Sequence, residues 1–164
     1  MTTGAPDTLP PAQALTTGGV GANPFGADEA RVRHALATIG EPDSSYAPTT
    51  SGDTCRSVLH SGADWGNFGV IFVDGKLAAW WLTETGSRRA VPAISSSIGI
   101  HLGDHRPDLA AIEARTDATT EAPILGMVFA RTGSSTIWVN LDADGVVNSI
   151  TAVAVGLGEC VAAD

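Results

Sequence analysis

One short stretch gathers side chains of the kind that bind metals or move protons: His101-Leu-Gly-Asp104-His105-Arg-Pro-Asp108. Imidazole and carboxylate are ordinary ligands of zinc and its neighbours, and this spacing offers both. It lacks the second histidine two residues after the first that an HxHxDH metallo-hydrolase string carries. It also straddles an expected strand end, turn and helix start, so its side chains need not converge. Capping by Asp104 or His105 explains the same residues without a metal. No metal and no other cofactor is therefore expected.

Asn140-Leu-Asp142-Ala-Asp144-Gly145 has acidic residues at alternate positions before a glycine, as in the first half of a calcium loop. Thr151 stands where the bidentate glutamate should be, so a hairpin turn is the better reading. No catalytic residue set is legible. No serine lies in GxSxG, and neither cysteine has the setting of a nucleophile. The glycine-rich GGVGANPFG lacks the lysine and the strand-to-helix context of a phosphate loop.

The sharper functional lead is aromatic. Trp80 and Trp81 are adjacent on an expected strand, so they must point to opposite faces of a sheet. One fills a core and the other is left for contact, the usual role of exposed tryptophan at binding surfaces. With Trp80 inside, Trp81, Trp138 and Trp65 fall on the outer surface. Tyr46, in the polar segment 43–54, completes the candidate binding set.

The stretch that must position these rings is WGNFGVIFVDGKLAAWWL, residues 65–82, which reads as two apolar strands turning at Asp74-Gly75. A weaker copy, TIWVNLDADGVVNSITAV, turns at Asp144-Gly145. Ahead of each lies a glycine and a helix-like start. After Gly26, Asp28 can cap a helix whose Val32, Ala35, Leu36 and Ile39 share one face, and Gly40 and Pro42 stop it. After Gly103, Pro107 suits a first turn, with Leu109 and Ile112 on a narrow apolar stripe. Aligning Gly26 with Gly103 sets Val32 against Leu109. Aligning Gly75 with Gly145 sets Leu77 against Val147 and Trp80 against Ile150. This reads as one supersecondary unit written twice. The expected division is a flexible Pro/Thr-rich leader at 1–14, a first repeat at 15–90 and a second at 91–164, within one compact domain.

Composition narrows the function classes. A net charge of −9 and a single adjacent basic pair, Arg88-Arg89, argue against nucleic acid. No apolar run approaches the roughly 20 residues that span a bilayer. Cys55 and Cys160 are too far apart for CxxC chemistry. They are either two buried thiols or a bridge closing a loop of about a hundred residues, which chain entropy rates at roughly 4–5 kcal/mol in an oxidising compartment.

The segments FGADEARVRHAL and IHLGDHRPDLAAI, the exit GEPD and the Asp-Gly-Lys hairpin together resemble the tandem unit of β-lactamase inhibitor protein. The unit is also similar to that of small outer-membrane assembly lipoproteins, and to secreted proteins of high-GC Gram-positive bacteria. The resemblance spans residues 15–160. It implies an α+β fold, with two similar helix-plus-antiparallel-strand repeats forming one sheet and short helices packed on one face. The other face is then a binding platform. The inhibitor's repeats each carry an internal disulfide, whereas each half here has one cysteine. The resemblance thus implies a bridge between the halves, Cys55 to Cys160, and sets inhibitory activity itself in question. The expected function is a non-catalytic, monomeric, secreted or envelope protein that binds an unidentified protein partner through its open sheet face. The alternatives are a small-ligand or envelope-component binding module and, third, a metal-dependent enzyme using His101, Asp104 and His105.

Overall fold

Asp74 and Gly75 both adopt positive φ, 48° and 72°, which is the backbone a two-residue hairpin turn demands. The Asp74 carboxylate also accepts the Leu59 N–H at 3.0 Å, tying the turn to the neighbouring strand. Around this hairpin a computed structural model describes residues 14–50, 59–84, 86, 88–91, 94–105, 119–124 and 127–156. Three short strands come first, β1 (Ala14–Thr16), β2 (Gly19–Val20) and β3 (Asn23–Pro24), followed by α1 (Glu29–Leu36). Then come β4 (Ser44–Thr50), β5 (Leu59–Trp65), β6 (Phe68–Val73), β7 (Lys76–Thr83) and the short β8 (Ser95–Ser96). The last group is β9 (Thr119–Ile124), β10 (Met127–Arg131), β11 (Ser135–Leu141) and β12 (Val147–Ala154).

Eight strands form one continuous sheet in the order β4-β5-β6-β7-β12-β11-β10-β9, and four short ones a second sheet, β3-β2-β1-β8. The large sheet is two antiparallel meanders joined by their last strands. Their seam is symmetric in register about the pair Trp81–Thr151. Leu82 faces Ile150 and Trp80 faces Ala152 on either side of it, and beyond them Thr83 faces Ser149 and Ala79 faces Val153. Each meander has a bulge just after its Asp-Gly turn, at Ala78 and at Asn148. Each also holds the chain from its preceding glycine in the same way. Gly26 N–H donates to Leu77 O at 2.8 Å and Leu77 N–H to Ala27 O at 2.8 Å. Gly103 N–H donates to Val147 O and Val147 N–H to Asp104 O, both at 2.9 Å.

The α+β expectation is corrected here. The described residues are mostly β, with one α-helix of eight residues and a following 3-10 turn at Ala37–Ile39. The helix expected after Pro107 falls on 106–118, outside the described residues. Segments read as loops pair as strands instead. The polar run 43–54 contains β4, whose Ser44, Ser45 and Tyr46 lie against Asp64, Ala63 and Gly62. The expected single strand from Trp65 is divided by a turn, because Gly66 sits at φ +57°, so Trp65 ends β5 and Phe68 opens β6. APILGMVFA, residues 122–130, which also reads as one apolar strand, is divided between β9 and β10. Local hydropathy could not show this, since edge strands of Ser and Thr look like loops until a partner is present.

The helix starts where the sequence reading places it, but by another bond. The Asp28 carboxylate does not cap α1. It binds the Lys76 ammonium instead, and that hydrogen bond and charge hold the Asp28 carboxyl below its ordinary pKa. Glu29 N–H is met by Gly75 O at 2.9 Å. Gly40, at φ +105°, ends the helical run.

The core lies between the large sheet and the layer of α1 and the small sheet. Trp80, Phe68, Phe72, Leu77, Ile137 and Ile150 point into it from the sheet, and Val32, Leu36, Leu15 and Val20 from the covering layer. Trp80 is fully buried, with its indole N–H donated to Thr16 O at 2.9 Å. The segment after β7 is stapled by Asn67. Its amide donates to Thr83 O at 2.9 Å and accepts Val91 N–H at 3.0 Å, and its own N–H meets Arg89 O at 2.9 Å. Asp43 adds an ion pair to Arg89, at 3.1 Å, and takes the Gly66 N–H.

The Arg89 guanidinium, with the Gly66 N–H behind it, holds the Asp43 carboxyl below its ordinary value. A carboxyl depressed in the folded state stabilises the fold above its unfolded pKa, and that contribution is lost as pH falls through the folded one. Asp43→Asn is therefore expected to lower the urea midpoint at pH 7. The gap to the parent should close as pH falls below about 4. A gap that persists unchanged to pH 2 would show that the ion pair contributes nothing.

Candidate functional site

Strand alternation assigns each tryptophan a side. In β7, Trp80 and Leu82 face the core, while Ala79, Trp81 and Thr83 face the other way. Among the described residues, those that cluster on this second face, Val73, Ala78, Ala79, Val153 and Ile71, come from the sheet itself. The end of the face near the Asp74-Gly75 turn is dry. Ala79, Val153 and His60 are buried there, and among the described residues the His60 Nε2 has no hydrogen-bond partner. The opposite end carries the candidate site.

Two rings lie flat on glycines at that end. Trp81 rests on Gly69, so close that a Cβ at Gly69 would come within 2.3 Å of its Cε2. Tyr46, 42% exposed, rests on Gly62, where a Cβ would lie 2.6 Å from its Cε1. β4 and β5 bring Tyr46 beside Gly62, and β6 and β7 bring Trp81 beside Gly69. Between the rings is a slot of about 240 Å³, bounded by Tyr46, Asp64, Ile71 and Trp81. The Asp64 carboxylate accepts the Ser44 hydroxyl. From outside the slot the Arg88 guanidinium lies 5.2 Å from the Trp81 ring centre, and its Nη1 reaches Gly66 O at 3.4 Å.

Trp138 stands in the same row as Trp81, with Thr151 between them. Two strand spacings set them about 10 Å apart. Beside them the Asn140 amide donates to the Ser149 hydroxyl at 2.7 Å, across the β11–β12 pair. At the β10–β11 turn and the end of β12 a wider, open depression of about 540 Å³ is lined by Arg131, Thr132, Thr136 and Val155.

The structure thus brings Tyr46, Trp81 and Trp138 to one face and sends Trp65 to the other. Trp65 is 2% exposed, stacks on Phe68 at 5.8 Å between ring centres, and donates its indole N–H to Gly40 O. Its assignment to the binding surface is corrected: register in β5 puts it opposite Phe68 on the core side. Cys55 and Cys160 lie outside the described residues, as does Asp108. His101 and Asp104 do meet, with Nδ1 3.6 Å from Oδ2, and Asp104 accepts the His101 N–H at 2.8 Å. His105 bridges to Val146 through its backbone. Among the described residues no three His, Cys, Asp or Glu side chains are grouped to hold a metal. Asp142 accepts the N–H groups of Asp144 and Val146, at 2.8 and 3.0 Å, as a turn residue does.

Sequence reasoning missed Gly62, Asp64, Gly69 and Arg88. The signal for the first and third was available: a lone glycine inside an apolar strand marks a close approach by another group. Comparison with known proteins identifies no relative, since no family model, curated protein or solved structure matches this chain.

Gly69→Ala is expected to lift Trp81 off the sheet at a cost of about 1–3 kcal/mol in stability. The indole should become more accessible to acrylamide and its emission should shift to the red. A quenching curve superimposable on the parent's would refute the seating of this ring.

Proposed function

We propose that this chain is a non-catalytic, exported module that grips a protein partner with the Trp81 face of its large sheet. The observation that carries the reading is the pair of seated rings, Trp81 on Gly69 and Tyr46 on Gly62, with Trp138 in the adjoining meander. Tryptophan, tyrosine and arginine dominate the energetics of protein interfaces, and all three occur together here. Rings fixed against backbone also lose little freedom on binding. The slot is smaller than the roughly 300 Å³ at which small-molecule pockets begin, which favours a protein over a free ligand. The chain's charge of −9 favours a partner that presents Lys or Arg. The resemblance to the β-lactamase inhibitor proteins points the same way, while the missing second cysteine in each half keeps inhibition out of the proposal. Export rests on pairing of Cys55 with Cys160 in an oxidising compartment. The alternative, a small ligand or envelope component, is favoured only by the wider depression at Arg131.

Immobilised protein is expected to retain a discrete protein from a cell-envelope or culture extract. Trp81→Ala and Trp138→Ala should each weaken that retention by about ten-fold or more. Undiminished retention by both variants would remove the reading. A small molecule retained by both variants and lost on Arg131→Ala would transfer it to the alternative. Thiol titration in denaturant is expected to find no free thiol in exported material, and two free thiols would remove the export clause.

A further inference from the structure

Resting on that reading, we infer that the slot between Tyr46 and Trp81 receives one cationic side chain, Arg or Lys, from the protein partner. Three features of the slot select a cation. Its flanks are two aromatic rings, and the negative face of such a ring attracts a desolvated guanidinium or ammonium. Asp64 lies between them, and among the described residues its carboxylate meets the Ser44 hydroxyl and no cation. An apolar or anionic occupant would strip water from that carboxylate with nothing in return, whereas a cation restores a charge-assisted hydrogen bond. The third feature is Arg88, which shows the Trp81 ring accepting a guanidinium at 5.2 Å while standing outside the slot walls. The volume, about 240 Å³ and open on one side, suits a single long side chain laid along Ile71. The stem of Arg or Lys would cover Ile71 while its head reaches Asp64.

The recognition is testable without knowing the partner. The probes are the peptide acetyl-Gly-Arg-Gly-amide and its citrulline isostere, which keeps the shape and removes the charge. Titrated into ¹⁵N-labelled protein, the arginine peptide is expected to shift the Trp81 indole signal and the amides of Gly62, Gly69 and Ile71. The Trp138 indole should stay in place. Citrulline should bind about ten-fold more weakly, and Asp64→Asn should remove most of that difference. Asparagine can still accept the Ser44 hydroxyl, and Asp64→Ser serves as a second variant should the first melt early. Equal shifts from both peptides, or arginine binding indifferent to both Asp64 variants, would overturn the proposal. If that happens while Trp81→Ala still abolishes partner retention, the slot is refuted and the protein-binding module stands. If retention is also indifferent to Trp81, the platform itself is refuted.

Discussion

The seam between β7 and β12 is the constraint on which everything else depends. It joins two meanders through antiparallel pairing centred on Trp81 and Thr151, and it fixes which side of the sheet each aromatic ring occupies. A slip of one residue there would exchange Trp80 with Trp81 and expose the largest core side chain to water. The Trp80 indole bond to Thr16 O and the packing of Val32 and Leu36 hold that register from the covered side. The bulges at Ala78 and Asn148 adjust the twist next to each turn without disturbing the pairing of the seam.

The open face owes its shape to two missing side chains. Glycine in a strand normally weakens it, because it loses more backbone entropy and packs nothing. Gly62 and Gly69 recover part of that loss by letting Tyr46 and Trp81 lie against bare backbone. The rings are thus fixed before any partner arrives, and the slot between them is lined by Ala63, Asp64, Val70 and Ile71. The same economy of volume recurs at Gly66, where a Cβ would sit 1.9 Å from Arg89 O. There it lets the segment that carries Arg88 pass over the β5–β6 turn and reach Trp81.

Charge has a local part in this fold. The chain's single lysine, Lys76, is spent on Asp28 at the start of α1, and Arg89 on Asp43. Both pairs are solvent-exposed, so each pins a segment in place more than it stabilises the whole. Arg33 is similarly engaged, bonded to Glu29 and lying 5.2 Å from the Phe72 ring centre. Asp64 differs from these acids in that, among the described residues, its carboxylate meets a hydroxyl and no cation.

The hairpin at Asp74-Gly75, the helix start near Asp28, its stop at Gly40 and the opposite facing of Trp80 and Trp81 were all legible in the residues. Each follows from local chemistry: a turn that needs positive φ, an acidic residue ahead of an apolar periodicity, and the two-residue period of a strand. The mostly β architecture was not legible, because β4 and the short strands of the small sheet have no hydrophobic pattern of their own. They are strands because a neighbour supplies the other half of each hydrogen bond. Trp65 was misplaced for a related reason, since Gly66 begins a turn and changes the strand to which that ring belongs. The meeting of Tyr46, Asp64 and Trp81 depends on three separate pairings, β4 with β5, β5 with β6 and β6 with β7. Sequence sets what each strand presents on its two faces. Tertiary pairing alone decides which presented groups become neighbours, because lateral register is a property of two segments and is written in neither.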